Sequence, residues 1–118
     1  MGEIRIIKTS IKKEELARVA QERFGDLVKA VVDIKKEIMA IGGELHADEE
    51  VALMENEGSK RENTWGINLY PNAGNENFIE FDSMINIKPT FNNRSRGVED
   101  NMLQEKIKEI VKRLVKLS

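Results

Sequence analysis

Hydrophobic and polar positions follow two different periods along this chain, and the change of period marks its elements. In residues 13–24, Leu16, Val19, Ala20 and Phe24 recur at helical spacing, which predicts a helix with one apolar stripe. Gly25 follows where a left-handed C-terminal residue belongs, whereas Lys12 offers no capping side chain at the start. A second stripe, Leu103, Ile107, Ile110, Val111 and Leu114, predicts a final helix with Asp100 as its N-cap. Residues 48–55 read as a short helix entered through Asp48 and stopped by Gly58. A strand is the alternative there, because residues 51–54 form a continuous apolar run.

Elsewhere the period is two. Residues 27–34 alternate, with Val28, Ala30, Val32 and Ile34 on one side. A turn at Lys35-Lys36 leads to a strand over residues 37–41, apolar on both faces as a central strand is. Residues 64–70 alternate with Trp65, Ile67 and Leu69 together, and residues 3–7 read as a short first strand. Residues 71–77 are turn-rich. Residues 78–88 predict one long strand ended by Pro89. On it Glu80, Asp82, Asn86 and Lys88 share a face with Phe78 and Met84, and Asn68 and Tyr70 of the neighbouring strand can join them. The order is β-α-β-β-α-β-β-α. It predicts an α+β fold of one domain over residues 1–118: a single layer of about five strands, mixed or antiparallel, with helices on one face.

The composition narrows this picture. At 118 residues the chain suffices for one core. It has no cysteine, so disulfides and thiolate metal sites are excluded, which suits a reducing compartment. No apolar run approaches the roughly 20 residues that cross a bilayer. The first ten residues lack the features of a signal peptide, so the expected location is the cytoplasm and no membrane partner is expected. The formal net charge of −2 argues against nucleic acid as a partner. Residues 37–57 hold seven acids and no base, and residues 101–118 hold five bases against two acids. Such blocks solvate faces or attract a charged partner or second subunit. High lysine and glutamate content suits a heat-loving source, and ten asparagines argue the other way.

Three features can carry chemistry. The first is the pair Glu80 and Asp82, two residues apart on the expected strand and so within reach of a shared proton or cation. The second is His46, the only histidine and the group best suited to titrate near neutrality. In a helix it would stand four residues from Glu50, a His/carboxylate pair. With a single histidine, a histidine-rich zinc site is impossible within one chain, although magnesium or calcium on carboxylates remains open. The third is the loop Asn92-Asn93-Arg94-Ser95-Arg96-Gly97-Val98-Glu99-Asp100, where Arg94, Arg96 and Gly97 precede a helix N-terminus. Guanidinium groups beside helix N–H donors suit phosphate, sulfate or carboxylate. The alternative is a structural loop whose arginines pair with Glu99, Asp100 or Asp82. Nucleophile and phosphate-loop signatures are missing, and Ser83 can meet His46 only through tertiary structure.

Val32-Asp33-Ile34, the run from Met39 to Glu49, Trp65-Gly66-Ile67-Asn68-Leu69-Tyr70-Pro71, the run from Glu80 to Ile87 and that from Asn93 to Asp100 resemble a family of short prokaryotic proteins of unknown function. The resemblance covers nearly the whole chain. It implies a single cytosolic domain and brings no activity, cofactor or catalytic residue with it. The leading expectation is therefore a small cytosolic domain that binds a small anionic ligand at Arg94, Arg96 and Gly97. One alternative is a metal-assisted hydrolase using Glu80, Asp82 and His46, with Glu80 and Asp82 as metal ligands. The other is a homodimer closed over the polar-rimmed sheet face.

Overall fold

The computed structural model describes residues 3–116. Its centre is a five-stranded antiparallel sheet in the order β1-β4-β3-β5-β6. The strands are β1 (Arg5–Ile7), β3 (Val28–Asp33), β4 (Ile38–Ile41), β5 (Thr64–Leu69) and β6 (Ile79–Glu80). The helices are α1 (Lys13–Arg23), α2 (His46–Glu57) and α3 (Asn101–Leu114). Two further strands, β2 (Ile11–Lys12) and β7 (Val115–Lys116), pair in parallel and tie the start of α1 to the end of α3. At two residues each they are too short to leave a period in the sequence. The α+β class and the antiparallel sheet are as expected.

The helix ends follow local chemistry. Asp100 accepts from Met102 N at 2.8 Å and Leu103 N at 3.4 Å, so the expected cap of α3 is formed. At the end of α1, Gly25 takes φ +91° and donates to Ala20 O at 2.7 Å. Phe24 leaves the stripe and is exposed, with the Lys29 ammonium 5.1 Å from its ring centroid. Helix α2 starts two residues before the expected point. Leu45 is its cap and contributes no side-chain bond, and Asp48 lies inside the first turn. There its charge favours the positive end of the helix dipole, a role that needs no capping geometry.

The sheet is covered on both faces, which corrects the expectation of helices on one. Helices α1 and α3 pack on the side of Val28, Ala30, Val32, Met39, Ile41, Trp65, Ile67 and Leu69. Helix α2 packs on the other, where Leu53 meets Val31, Ile38 and Ala40. The reason is visible in β3 and β4: Val31 and Ala40 are apolar on the second face too, and need a cover.

The expected strand over residues 78–88 does not form. It stops after Glu80; Met84–Asn86 and Pro89–Phe91 are 3-10 turns. The even apolar spacing came from two structures rather than one. Ile79 and Phe81 pack with the α1/α3 core, whereas Ile85 packs with the α2 core, so the chain crosses the sheet edge at Ser83. Ser83 makes the crossing: its N–H donates to Arg96 O at 2.9 Å, and its Oγ accepts from Ile85 N at 3.3 Å. The outer edge of β5 is then completed by side chains. Asn86 accepts from Gly66 N at 2.8 Å through Oδ1 and donates to Gly66 O at 2.9 Å through Nδ2. The Lys88 ammonium donates to Thr64 O and, at 2.5 Å, to Arg61 O. Two side chains thus take the place of a paired strand and satisfy an edge that would otherwise be open.

Candidate functional site

The three sequence candidates meet at one edge of the sheet, around Asn68. Register pairing sets Lys29 of β3, Asn68 of β5 and Glu80 of β6 in one row. Asn68 Nδ2 donates to Glu80 Oε1 at 2.9 Å and to Asp82 O at 3.4 Å. Tyr70 donates to the same Glu80 oxygen at 3.0 Å. Burial, and Glu80 accepting its hydroxyl, hold Tyr70 above its ordinary value of 10.0. Arg96 reaches from the loop and pairs with Asp82, Nε to Oδ1, at 2.7 Å. Both partners are about half exposed, so the pair fixes the loop's position more than it adds to stability.

His46 closes the row from α2. Its Nε2 lies 2.8 Å from Ile67 O; a carbonyl only accepts, so the proton sits on Nε2. Burial pushes its pKa below 6.5, and the bond to Ile67 opposes this. Lys29 lowers it further, while Asn68 and Asp82 raise it. The imidazole is therefore neutral at pH 7 and directed at backbone. Gly66 is what allows this approach. A Cβ there would come 2.5 Å from Ser83 Cβ and Oγ and 3.2 Å from His46 Cδ2, so only glycine lets Ser83 and His46 flank the strand. Ser83 is itself buried, with its Oγ turned to Ile85 N, so the two residues are neighbours without forming an exposed nucleophile.

Glu80, Asp82 and His46 thus share a region. Among the described residues, however, no three histidines, cysteines or acids are grouped so that they could hold a metal ion. Glu80 is committed to Asn68 and Tyr70, Asp82 to Arg96, and His46 to Ile67. Asn86 and Lys88, expected beside Glu80 on a polar strand face, are instead buried at the β5 edge. Of the two apolar residues expected on that face, Phe78 packs into the α1/α3 core and Met84 stays exposed. The flat face proposed for a homodimer is therefore replaced by a bent crossing.

The loop is held by Asn93, a residue the sequence marked only as half of an Asn-Asn pair. Asn93 Nδ2 donates to Asn86 O at 2.7 Å, Gly97 O at 2.8 Å and Ser95 O at 3.1 Å, and its Oδ1 accepts from Glu99 N at 2.9 Å. Asn92, at φ +64°, makes the preceding turn, a conformation asparagine tolerates. Glu99 serves the loop as its own anion. It accepts from Arg94 N at 3.0 Å, and bonds from Ser95 and Arg94 hold its carboxyl below the ordinary 4.5. The first α3 amides are taken by Asp100, and Gly97 N by Ser95 Oγ at 3.2 Å. These helix and loop N–H groups thus have internal acceptors. The Arg94 guanidinium is exposed and, among the described residues, makes no hydrogen bond or ion pair.

Residues 5–114, nearly the whole chain, match the family model described as protein of unknown function (DUF5674). The chain belongs to the DUF5674 family. That agrees with the resemblance carried by its motifs. No curated protein and no solved structure matches it. No helix of this DUF5674 domain, among the described residues, is long and apolar enough to cross a membrane.

Proposed function

We propose that this is a cytoplasmic, single-domain binding protein whose ligand is a small anion, phosphate or carboxylate, taken by the loop of residues 94–97. The observation that carries the reading is the contrast between Arg94 and its surroundings. Asn93 fixes the loop with four hydrogen bonds, and Glu99 and Ser95 accept from the Arg94 and Gly97 N–H groups. Arg94, without a side-chain partner among the described residues, offers a fork of donors from that rigid base. Arg96, tied to Asp82 on one side, stands as the second cation, and the cysteine-free composition suits the cytoplasm. Arginine suits the task because its planar donors match two oxygens of a phosphate or carboxylate.

A thermal melt series in sodium phosphate, sulfate and acetate, against chloride at equal ionic strength, tests this. At an anion concentration about tenfold above Kd the gain is about 1.4 kcal/mol, a rise of several degrees. Arg94→Ala removes the rise. The reading is wrong if no anion shifts the wild type, or if Arg94→Ala shifts as the wild type does.

A further inference from the structure

Lys88 is a buried charged group. It is only 3 % exposed, its ammonium lies 4.1 Å from the centroid of the Trp65 ring, and its donors go to two backbone carbonyls. Among the described residues no carboxylate bonds to it. The acid whose charge acts on it, Glu50 of α2, already accepts from Arg61 at 3.2 Å and from Thr64 Oγ1 at 2.5 Å. Arg61 itself adds a second positive charge beside the amine. Across β5 from Thr64 stands Asp33 of β3, whose carboxylate is taken up by Ser59 Oγ at 2.6 Å and by Lys35 N and Lys36 N. Removing an ammonium from water costs several kcal/mol, more than the roughly 2 kcal/mol a ring face returns. The fold therefore disfavours the ammonium relative to water, and burial pushes Lys88 down to about 8 from 10.5.

Lys88 also begins the hairpin that carries the loop. It is bridged to Asn93 by two backbone bonds, 2.7 Å and 3.2 Å, and Pro89 beside it has no N–H to add another. We propose that the hairpin of residues 88–93 is a proton-controlled cover of the β5 edge. With Lys88 charged it opens more readily, because opening hydrates the ammonium. With the amine neutral it closes over Thr64 and Trp65. This device stands whether or not the loop binds an anion.

Trp65 is the only tryptophan, so its fluorescence reports the cover directly. Acrylamide quenching of the intact chain is measured from about pH 6.5 to about pH 9.5, below the ionisation of Tyr70. The quenching constant falls by about twofold or more as pH rises through the Lys88 transition, and stays level in Lys88→Met. A level wild-type profile, or an equal fall in Lys88→Met, overturns the proposal. Should Lys88→Met fail to fold, the wild type decides by NMR. The Lys88 Cε resonance should titrate well below the ordinary lysine range. Over the same pH range the Asn93 amide should gain protection, corrected for intrinsic exchange. An ordinary titration, or unchanged protection, overturns it equally.

Discussion

The two faces of the sheet are built on different physics. Against α1 and α3 the buried contact is apolar, with Leu16, Ile107, Ile110 and Leu114 all buried beside Ala30, Met39 and Ile67; polar contacts, Arg23 to Gly42 O and Lys106 and Arg113 to Glu37, lie at its rim. Neither helix carries a buried polar side chain among the described residues. Against α2 and along the β5 edge the apolar cluster is small. Asp33, His46, Glu49, Glu50, Asn68, Ser83, Asn86 and Lys88 are buried there. One face gains stability by area, which tolerates small shifts. The other is positioned by one-to-one hydrogen bonds, which do not. The candidate site lies on the second kind of surface, as its fixed directions require.

Removing volume from the apolar face gives the largest effect. Leu16 is fully buried, and Leu16→Ala should cost about 2–5 kcal/mol in urea unfolding through lost transfer energy and a residual cavity. The cost should be the same at pH 6 and pH 9, since no titrating group faces that cavity from α1 or α3. A loss under about 1 kcal/mol, or one that changes with pH, would blur the distinction between the faces.

On the polar face the corresponding change is Asn86→Ala. It removes little volume but strands three backbone groups: Gly66 N–H, Gly66 O and Arg96 O. At the open edge of β5 water can rescue some of these, so the expected cost is about 2–3 kcal/mol. Hydrogen exchange sharpens the test, because the loss should concentrate at Gly66 and Ser83 rather than in α1 or α3. A variant as stable as the wild type would mean that the Asn86 side chain does not stand in for strand pairing.

The same contrast explains what could be read from the sequence. The apolar face was legible because periodicity records burial. The stripes of α1, Phe24 apart, and of α3, the alternation of β3 and β5, and the Asp100 cap appear where local chemistry places them. Residues 78–88 misled for the same reason. Ile79, Phe81 and Ile85 keep an even spacing while serving different cores, and periodicity cannot tell which core a residue enters. Arg94, Arg96, Glu80, Asp82 and His46 were visible as residue types. The meeting of Arg96, Glu80, Asp82 and His46 around Asn68 was not, since it depends on the strand order that sets β5 between β3 and β6. Asn93 and Lys88 carried no signal of burial, because an asparagine in a polar loop and a lysine on the polar face of an expected strand are ordinarily exposed.

The smallest effect concerns Glu49, and it separates the faces by pH alone. Its side chain is fully buried in α2, with Oε2 accepting from Gly43 N at 2.8 Å and Oε1 without a partner. Burial pushes the carboxyl well above 4.5; the Gly43 bond and the Lys29 charge oppose this without reversing it. In the unfolded chain the group ionises near its ordinary value, whereas in the fold it keeps its proton to higher pH. Between those two points the native state binds more protons, so this group's contribution to stability falls as pH rises. Glu49→Gln keeps the shape and the acceptor for Gly43 but cannot ionise. Relative to wild type it should be neutral below about pH 4 and increasingly more stable as pH rises above that. Paired unfolding curves at pH 4 and pH 7 measure the difference. If the gap does not widen with pH, Glu49 is ionised in the fold and Lys29 is its working partner. The α2 face would then hold a buried ion pair rather than a neutral acid.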